Sequence, residues 1–292
     1  MNKIMKGDTQ DEYEKAVNKA IDYINNHLFE TPDVKQLSLI ANISKYHFHR
    51  IFKSIIGENI GEYINRIRLE YIAEYLQMTR YNLDEIALKT GYGTKHALSK
   101  AFKKHFGVTP SAFRSQDKDP CNFFERNQRE IIQLTPDIRE VDSKRVVYIR
   151  IIDQYGAPEA YRIAWQKLGL FAKEHKLIKS STEFLGLSFD NPTITLPKNC
   201  RFYACFTINE DIKPQGSFGI QHIEGGLYAI FTLKGPYSRL LDMYYNIYME
   251  WLPKSNYKLR KGGAFEKYLN NPDKVSEDEI RTEIYVPVCL KK

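Results

Sequence analysis

The chain has 292 residues, 43 basic and 36 acidic side chains, a net charge of +7 and 42% hydrophobic residues. This length suits two domains, each with its own core, and the balance of apolar and charged residues excludes a disordered chain. Met1 to Lys15 is polar and lacks a signal-peptide core, and no stretch reaches the ~18 apolar residues of a membrane span, so a cytoplasmic location away from any membrane is expected.

Tyr13 to His27 reads as an opening helix. Pro32-Asp33 precedes Val34 to Ala41, with Val34, Leu37 and Ala41 on one face, and Asn42 breaks the run. Ser44 is placed to cap a second helix, in which Phe48, Ile51, Phe52 and Ile55 recur at helical spacing, and Gly57 closes it. Ile60 to Met78 is one long amphipathic helix with Ile60, Ile64, Ile67 and Tyr71 aligned. A shift of 50 residues then lays the first helix pair on another. Asn82 caps Leu83 to Thr90, Gly91 turns the chain, Thr94 caps Lys95 to Phe106, and Gly107 closes that helix. Thr109-Pro110 starts a short last helix.

On each capped helix the positions not used for packing are polar or cationic. They are Lys45, Tyr46, His49, Arg50 and Lys53 in the first, and Lys95, His96, Ser99, Lys100 and Lys103 in the second. Neither Ser44 to Gly57 nor Tyr92 to Arg114 contains an acid. A single cationic helix is commonly a solvated surface. Two copies, each on the helix after a turn, fit a protein that places a helix in the major groove. Held about 34 Å apart, they would enter adjacent grooves on one side of the duplex. His47, His49, His96 and His105 have no Cys or carboxylate at ligand spacing, so no metal is expected. Cys121, Cys200, Cys205 and Cys289 are scattered and read as reduced thiols. No cofactor is expected.

A domain boundary falls in Gln116 to Pro136, a stretch of mixed charge with Pro120 and Pro136. The expected organisation is a DNA-binding domain at 1–116, a linker at 117–136 and an effector-binding domain at 137–292. The second domain repeats at 80 residues: Tyr148 falls on Tyr228, Asn191-Pro192 on Asn271-Pro272, and Arg201 on Arg281. Its elements read strand Lys144 to Ile152, helix Pro158 to His175, and strands Phe184 to Phe189 and Arg201 to Thr207. The second copy reads strand Leu227 to Leu233, helix Pro236 to Trp251, and strands Ala264 to Leu269 and Thr282 to Val288. The fold class is therefore multidomain: an all-α double helix-turn-helix domain, then a duplicated β-α-β-β domain of α+β type with helices on one face of an antiparallel sheet.

Period two puts Ile284, Val286 and Val288 on one face of their strand and Glu283 and Tyr285 on the other. Glu266 and Tyr268 share a face of theirs. Aromatics crowd the domain, among them Tyr161, Trp165, Tyr203, Tyr237, Tyr244 and Trp251. Any one of these is more often core than pocket. Aromatic walls with a carboxylate at the base suit a flat, apolar, cationic small molecule. The candidate effector-binding residues are Glu266, Glu283, Tyr268, Tyr237, Tyr203, Trp165, Tyr161 and Trp251.

Two family resemblances sharpen this. The strings SKYHFHRIFKSIIG (Ser44 to Gly57) and IALKTGYGTKHALSKAFKKHFGVTPSAFR (Ile86 to Arg114), with the helix between them, resemble the DNA-binding domain of AraC/XylS-type transcription regulators. That resemblance implies base contacts from Tyr46, His49 and Arg50, and from Thr94, Lys95, His96, Ser99 and Lys100, with Lys53 and Lys103 facing phosphates. The region from about Val141 to the end is similar to GyrI-like small-molecule-binding domains. The similarity is carried by Gly235-Pro236-Tyr237, Glu250-Trp251-Leu252-Pro253, Phe265-Glu266, Asn271-Pro272 and Thr282 to Val288. In that family a buried Glu meets cationic aromatic drugs. Its place in the motif is that of Glu266, with Glu283 the second choice.

The leading expectation is a one-component transcription regulator without catalytic residues. It would bind double-stranded promoter DNA and a small effector and, as the AraC resemblance implies, activate by recruiting RNA polymerase; a monomer on a bipartite site is compatible with this. The alternative is a GyrI-like hydrolase of a reactive small molecule, tethered to a DNA-binding domain, with Glu266 and Tyr268, or Glu283 and Tyr203, as its working pair. A third reading is an architectural DNA binder whose second domain meets a protein partner.

Overall fold

Apolar spacing decides where the N-terminal helices run. The structure, a computed structural model, describes residues 2–30, 32–79, 81–116, 133–260 and 262–291. Its chain divides into two compact units, one built on the N-terminal helices with Thr193–Thr195 and Pro214–Gly219, the other on the remaining C-terminal residues.

In the first unit, α1 (Asn2–Asn26), α2 (Val34–Ala41), α3 (Lys45–Ile56), α4 (Ile60–Met78), α5 (Leu83–Lys89), α6 (Lys95–Phe106) and α7 (Pro110–Gln116) follow one another. Helix α4 serves two cores. Its first half buries Ile60, Tyr63, Ile64 and Ile67 with Val17, Ile21, Leu37, Phe48 and Phe52. Its second half buries Leu69, Ile72, Ala73 and Leu76 with Ile86, Leu98 and Phe102. The caps follow from the local residues. Asp33 accepts from the Gln36 N–H, Asn82 and Glu85 form a reciprocal capping box, and Thr94 accepts from the Ala97 N–H at 3.2 Å. Gly57 and Gly107 end α3 and α6 with φ of 86° and 77°, a region natural to glycine. Two expectations need correcting. Ser44 stands at the N-cap of α3, but its side chain makes no capping hydrogen bond. Helix α1 starts at Asn2 rather than Tyr13; the core cluster takes residues from it only from Tyr13 and Ala16 onward, and the polar sequence before Tyr13 carries no apolar period.

The second unit is one antiparallel sheet. Its strands are β1 (Asp137–Val141), β2 (Lys144–Ile152), β3 (Phe184–Ser188), β4 (Arg201–Thr207), β5 (Phe218–Ile223), β6 (Gly226–Lys234), β7 (Tyr257–Leu259), β8 (Phe265–Tyr268) and β9 (Arg281–Leu290). They lie in the order β1-β6-β9-β8-β3-β4-β2-β5, with β7 on β9. The units β2-α8-β3-β4 and β6-α9-β8-β9 are the two sequence repeats, where α8 is Pro158–Glu174 and α9 is Leu240–Tyr245. They join through β3 and β8, where Leu185 pairs with Lys267, Gly186 with Glu266, and Leu187 with Phe265. Gly186 and Glu266 are also equivalent under the 80-residue shift. A pseudo-twofold axis therefore passes through this pair.

Strands β1, β5 and β7 go unanticipated in the sequence; they are short or mixed in polarity, with little alternation. The expected helix Pro236 to Trp251 is broken as well. A 3₁₀ turn (Tyr237–Arg239) precedes α9, and a π-turn (Asn246–Trp251) follows it. Asn246 is buried and donates Nδ2–H to the Asp242 carbonyl at 2.9 Å, while Pro253 supplies no N–H downstream. Cys200, Cys205 and Cys289 are free thiols. Cys121 and linker residues 117–132 lie outside the described residues. Among the described residues no helix is long and apolar enough to cross a membrane.

Candidate functional site

Helices α3 and α6 each bury an apolar stripe and leave the opposite face in water. On α3, Phe48, Ile51 and Phe52 are buried, while Lys45, Tyr46, His49, Arg50 and Lys53 are exposed. Tyr46, at 82% exposure, is an aromatic ring without a core role. On α6, Leu98 and Phe102 are buried. Thr94, Lys95, His96, Lys100 and Lys103 are exposed and Ser99 is half-buried. Lys95 reaches Asp84 on α5 at 3.0 Å, an exposed ion pair of small energetic weight.

A buried charge cluster ties α3 to α4. Arg66 on α4 donates to Glu58, just past the end of α3, and to Glu70 one turn along α4, at 3.1 Å. Burial alone would lower the Arg66 pKa, but the Glu58 hydrogen bond and the Glu70 and Glu58 charges raise it.

In the second unit the sheet has two different faces. Ile284, Val286 and Val288 pack with Met243 and Ile247 of the α9 segment. Tyr148, Tyr203, Tyr228, Phe265 and Tyr285 pack together on the reverse face. Glu266 pairs with Ile284 across β8 and β9, which places it on the helix-bearing face. It is 4% exposed. Its carboxylate accepts hydrogen bonds from Tyr268 Oη at 2.7 Å and Tyr244 Oη at 3.2 Å. Desolvation pushes the Glu266 carboxyl above its ordinary pKa, against the two hydroxyl donors, which act to lower it. Burial, reinforced by the Glu266 charge, drives the Tyr244 and Tyr268 hydroxyls well up. Tyr237 is raised to about 12 by burial and then by Glu266.

Rings surround this carboxylate. Trp165 meets Tyr268 edge-on at 5.7 Å, Tyr237 meets it at 5.6 Å, and Tyr161 stacks on Phe202 at 4.7 Å. The structure thus brings together Glu266, Tyr268, Tyr237, Trp165 and Tyr161. It does not bring in Tyr203, Glu283 or Trp251. Tyr203 lies on the reverse face, stacked on Tyr148 at 4.2 Å. Glu283 shares that reverse face with Tyr285, whose hydroxyl donates to it at 2.8 Å. Strand alternation alone separates Glu283 from Glu266. Trp251 packs between Phe231 and Tyr257 in the core of the second repeat.

Two residues of the site are missing from the sequence-based set. Tyr244 stands seven positions after Tyr237, so both fall on one helical face, but it was one of many tyrosines. Gly186 is the repeat equivalent of Glu266. A Cβ there would collide with Tyr268 Oη and lie 2.6 Å from Phe202 Cζ. Only glycine leaves room for the tyrosine that holds the carboxylate.

Residues 134–288 match the GyrI-like small molecule binding domain, and residues 37–116 match a helix-turn-helix domain. Transcriptional regulator Rob of Salmonella typhimurium is 25% identical over 91% of this chain and 95% of its own length. The probable transcriptional regulator YgiV of Escherichia coli K12 is 28% identical over 53% of this chain and 98% of its own. A solved EcmrR–DNA complex aligns with 89% of this chain and all of that one, at 18% identity and a TM-score of 0.48. Rob and YgiV are both named as transcriptional regulators. The chain belongs to the GyrI-like small-molecule-binding family, and with its AraC-type helix-turn-helix domain it is a transcription regulator.

Proposed function

We propose that this regulator senses a small aromatic cation, bound against Glu266 between Tyr161, Trp165, Tyr237, Tyr244 and Tyr268. One observation carries the reading. Glu266 is a buried carboxylate whose hydrogen-bond partners, among the described residues, are two tyrosine hydroxyls and no cation. Burying a carboxylate without a counter-charge is costly, and a cationic ligand that replaces water beside it offsets that cost. The rings supply cation–π faces as well.

On DNA, α3 and α6 enter successive major grooves. Tyr46, His49 and Arg50, and Thr94, Lys95, His96, Ser99 and Lys100, read bases, while Lys53 and Lys103 meet phosphates. The protein acts in the cytoplasm, as a monomer on a bipartite promoter site, and activates by engaging RNA polymerase. The effector changes promoter affinity by binding one conformational state better than the other.

The test uses tetraphenylphosphonium, an aromatic cation. Trp165 lies beside Tyr268, so saturable fluorescence quenching is expected, and Glu266→Gln should weaken it at least tenfold. Equal affinity of the wild type and the variant would remove Glu266 from the site.

A further inference from the structure

Arg50 is exposed, but its guanidinium is held. Arg50 Nη2 lies 3.3 Å from His47 Nδ1, and His47 Nε2 lies 2.9 Å from the hydroxyl of Tyr13 on α1. The Tyr13 and His47 rings meet edge-to-face with centroids 5.3 Å apart. A guanidinium only donates, so in this hydrogen bond Nδ1 accepts, and Nε2 is the nitrogen left to donate to the Tyr13 oxygen. Tyr13 and His47 are both half-buried. Tyr13 packs on the core that holds Val17, Phe48 and Ile51. One end of the relay is anchored in that core, and the other presents a guanidinium to solvent.

We infer that His47, held by Tyr13, is a positioning residue that orients Arg50 for base contact and thereby sets the base preference of α3. The inference rests on the reading that α3 enters the major groove. An arginine side chain loses much rotamer freedom when it is fixed, and a fork already oriented loses less on binding. Discrimination comes from two simultaneous hydrogen bonds to one base edge, so it depends on the angle of the fork more than on the charge. The second recognition helix provides an internal control. Shifted by 50 residues, Arg50 falls on Lys100 and His47 on Ala97, which has no ring to serve as a relay.

The experiment is selection from a random duplex library by the full-length chain, as wild type, Arg50→Ala, His47→Phe and Tyr13→Phe. Arg50→Ala should broaden the base preference under α3 at the position that Arg50 reads and preserve it under α6. His47→Phe keeps a ring against Tyr13 but removes both nitrogens. It should reduce the α3 preference about three- to tenfold, a part of the roughly 5- to 150-fold that one whole bidentate contact carries, and leave the α6 preference and the salt dependence of binding unchanged. Tyr13→Phe should act in the same direction with smaller size; it removes one oxygen, so it carries the test if His47→Phe fails to fold. If Arg50→Ala broadens the α3 positions while both His47→Phe and Tyr13→Phe select the wild-type sequence, the positioning role is wrong. If Arg50→Ala itself changes nothing, the groove reading falls, and the relay loses its function with it.

Discussion

Gly186→Ala tests the geometry of the buried carboxylate at its tightest point. The added methyl would overlap Tyr268 Oη and lie 2.6 and 2.8 Å from two carbons of the Phe202 ring. Phe202 is 3% exposed and stacked on Tyr161, so its ring has little room to yield. Overpacking of this kind costs about 1–3 kcal/mol. Tyr268 must also withdraw its hydroxyl from Glu266, and a lost hydrogen bond to a charged group costs roughly 1.5–3 kcal/mol. The two losses share one movement, so the expected total is about 2–4 kcal/mol. For a domain of about 150 residues this corresponds to a fall in Tm of roughly 4–16 °C, measured calorimetrically on the C-terminal transition of the full-length protein. Tyr268→Phe in the Gly186→Ala background removes the nearest colliding atom and should recover part of the loss, while Phe202 keeps the rest. A Gly186→Ala protein that melts within 1 °C of wild type would refute the close packing. A double variant no more stable than Gly186→Ala would show that Tyr268 is not what the methyl meets.

Other outcomes follow from charge. Because the folded-state pKa of Glu266 is raised, its contribution to stability is full below the ordinary carboxylate pKa and is lost as pH rises through the raised value. A bound cation requires the ionised form, so tetraphenylphosphonium should bind more tightly as pH rises across that window and release a proton. Titration calorimetry in two buffers of different ionisation enthalpy reads this release, and Glu266→Gln should abolish it. Arg66→Met leaves Glu58 and Glu70 without their cation and should destabilise the N-terminal unit by about 3–5 kcal/mol in urea unfolding, with partial recovery by Glu70→Gln. Lys103→Ala should weaken binding to every DNA sequence alike and lower the salt slope by about 1, read by fluorescence anisotropy across a salt series.

Legibility tracked how local the signal was. The limits of α2, α3 and α6 follow from Asp33, Thr94 and the two C-terminal glycines, and each is a contact within a few residues. The strands of the duplicated unit are readable because β2, β4, β6 and β9 each bury long apolar runs. What a strand cannot announce is which of its faces will carry helices. Glu266 and Glu283 each stand two positions before a tyrosine, and only the pairing of Glu266 with Ile284 separates them. Tyr203 falls on the reverse face for the same reason. The break after α9 depends on Asn246 folding back on the Asp242 carbonyl, a choice that helix periodicity does not register. The His47 relay joins residues 34 positions apart, beyond the reach of any helical spacing.

The duplication itself accounts for the single carboxylate. Strands β1 and β5 occupy corresponding places in the two repeats, yet β1 pairs with β6 of the second repeat and β5 lies beside β2 of the first. Each repeat therefore completes the other's sheet edge, and neither has its full sheet alone. Where the repeats meet, β3 and β8 run antiparallel, so the residues on the axis stand opposite their own equivalents. A symmetric pair of glutamates there would put two carboxylates directly across from each other in a dry interior, where like charges are most unfavourable. A symmetric pair of glycines would leave no charge for a ligand. Gly186 opposite Glu266 resolves the conflict: one repeat supplies the carboxylate, and the other supplies the space in which Tyr268 reaches it. Side chains from both repeats then surround one group, Tyr161 and Trp165 from the first and Tyr237, Tyr244 and Tyr268 from the second. A ligand held on this axis, as proposed above, would meet side chains from both repeats.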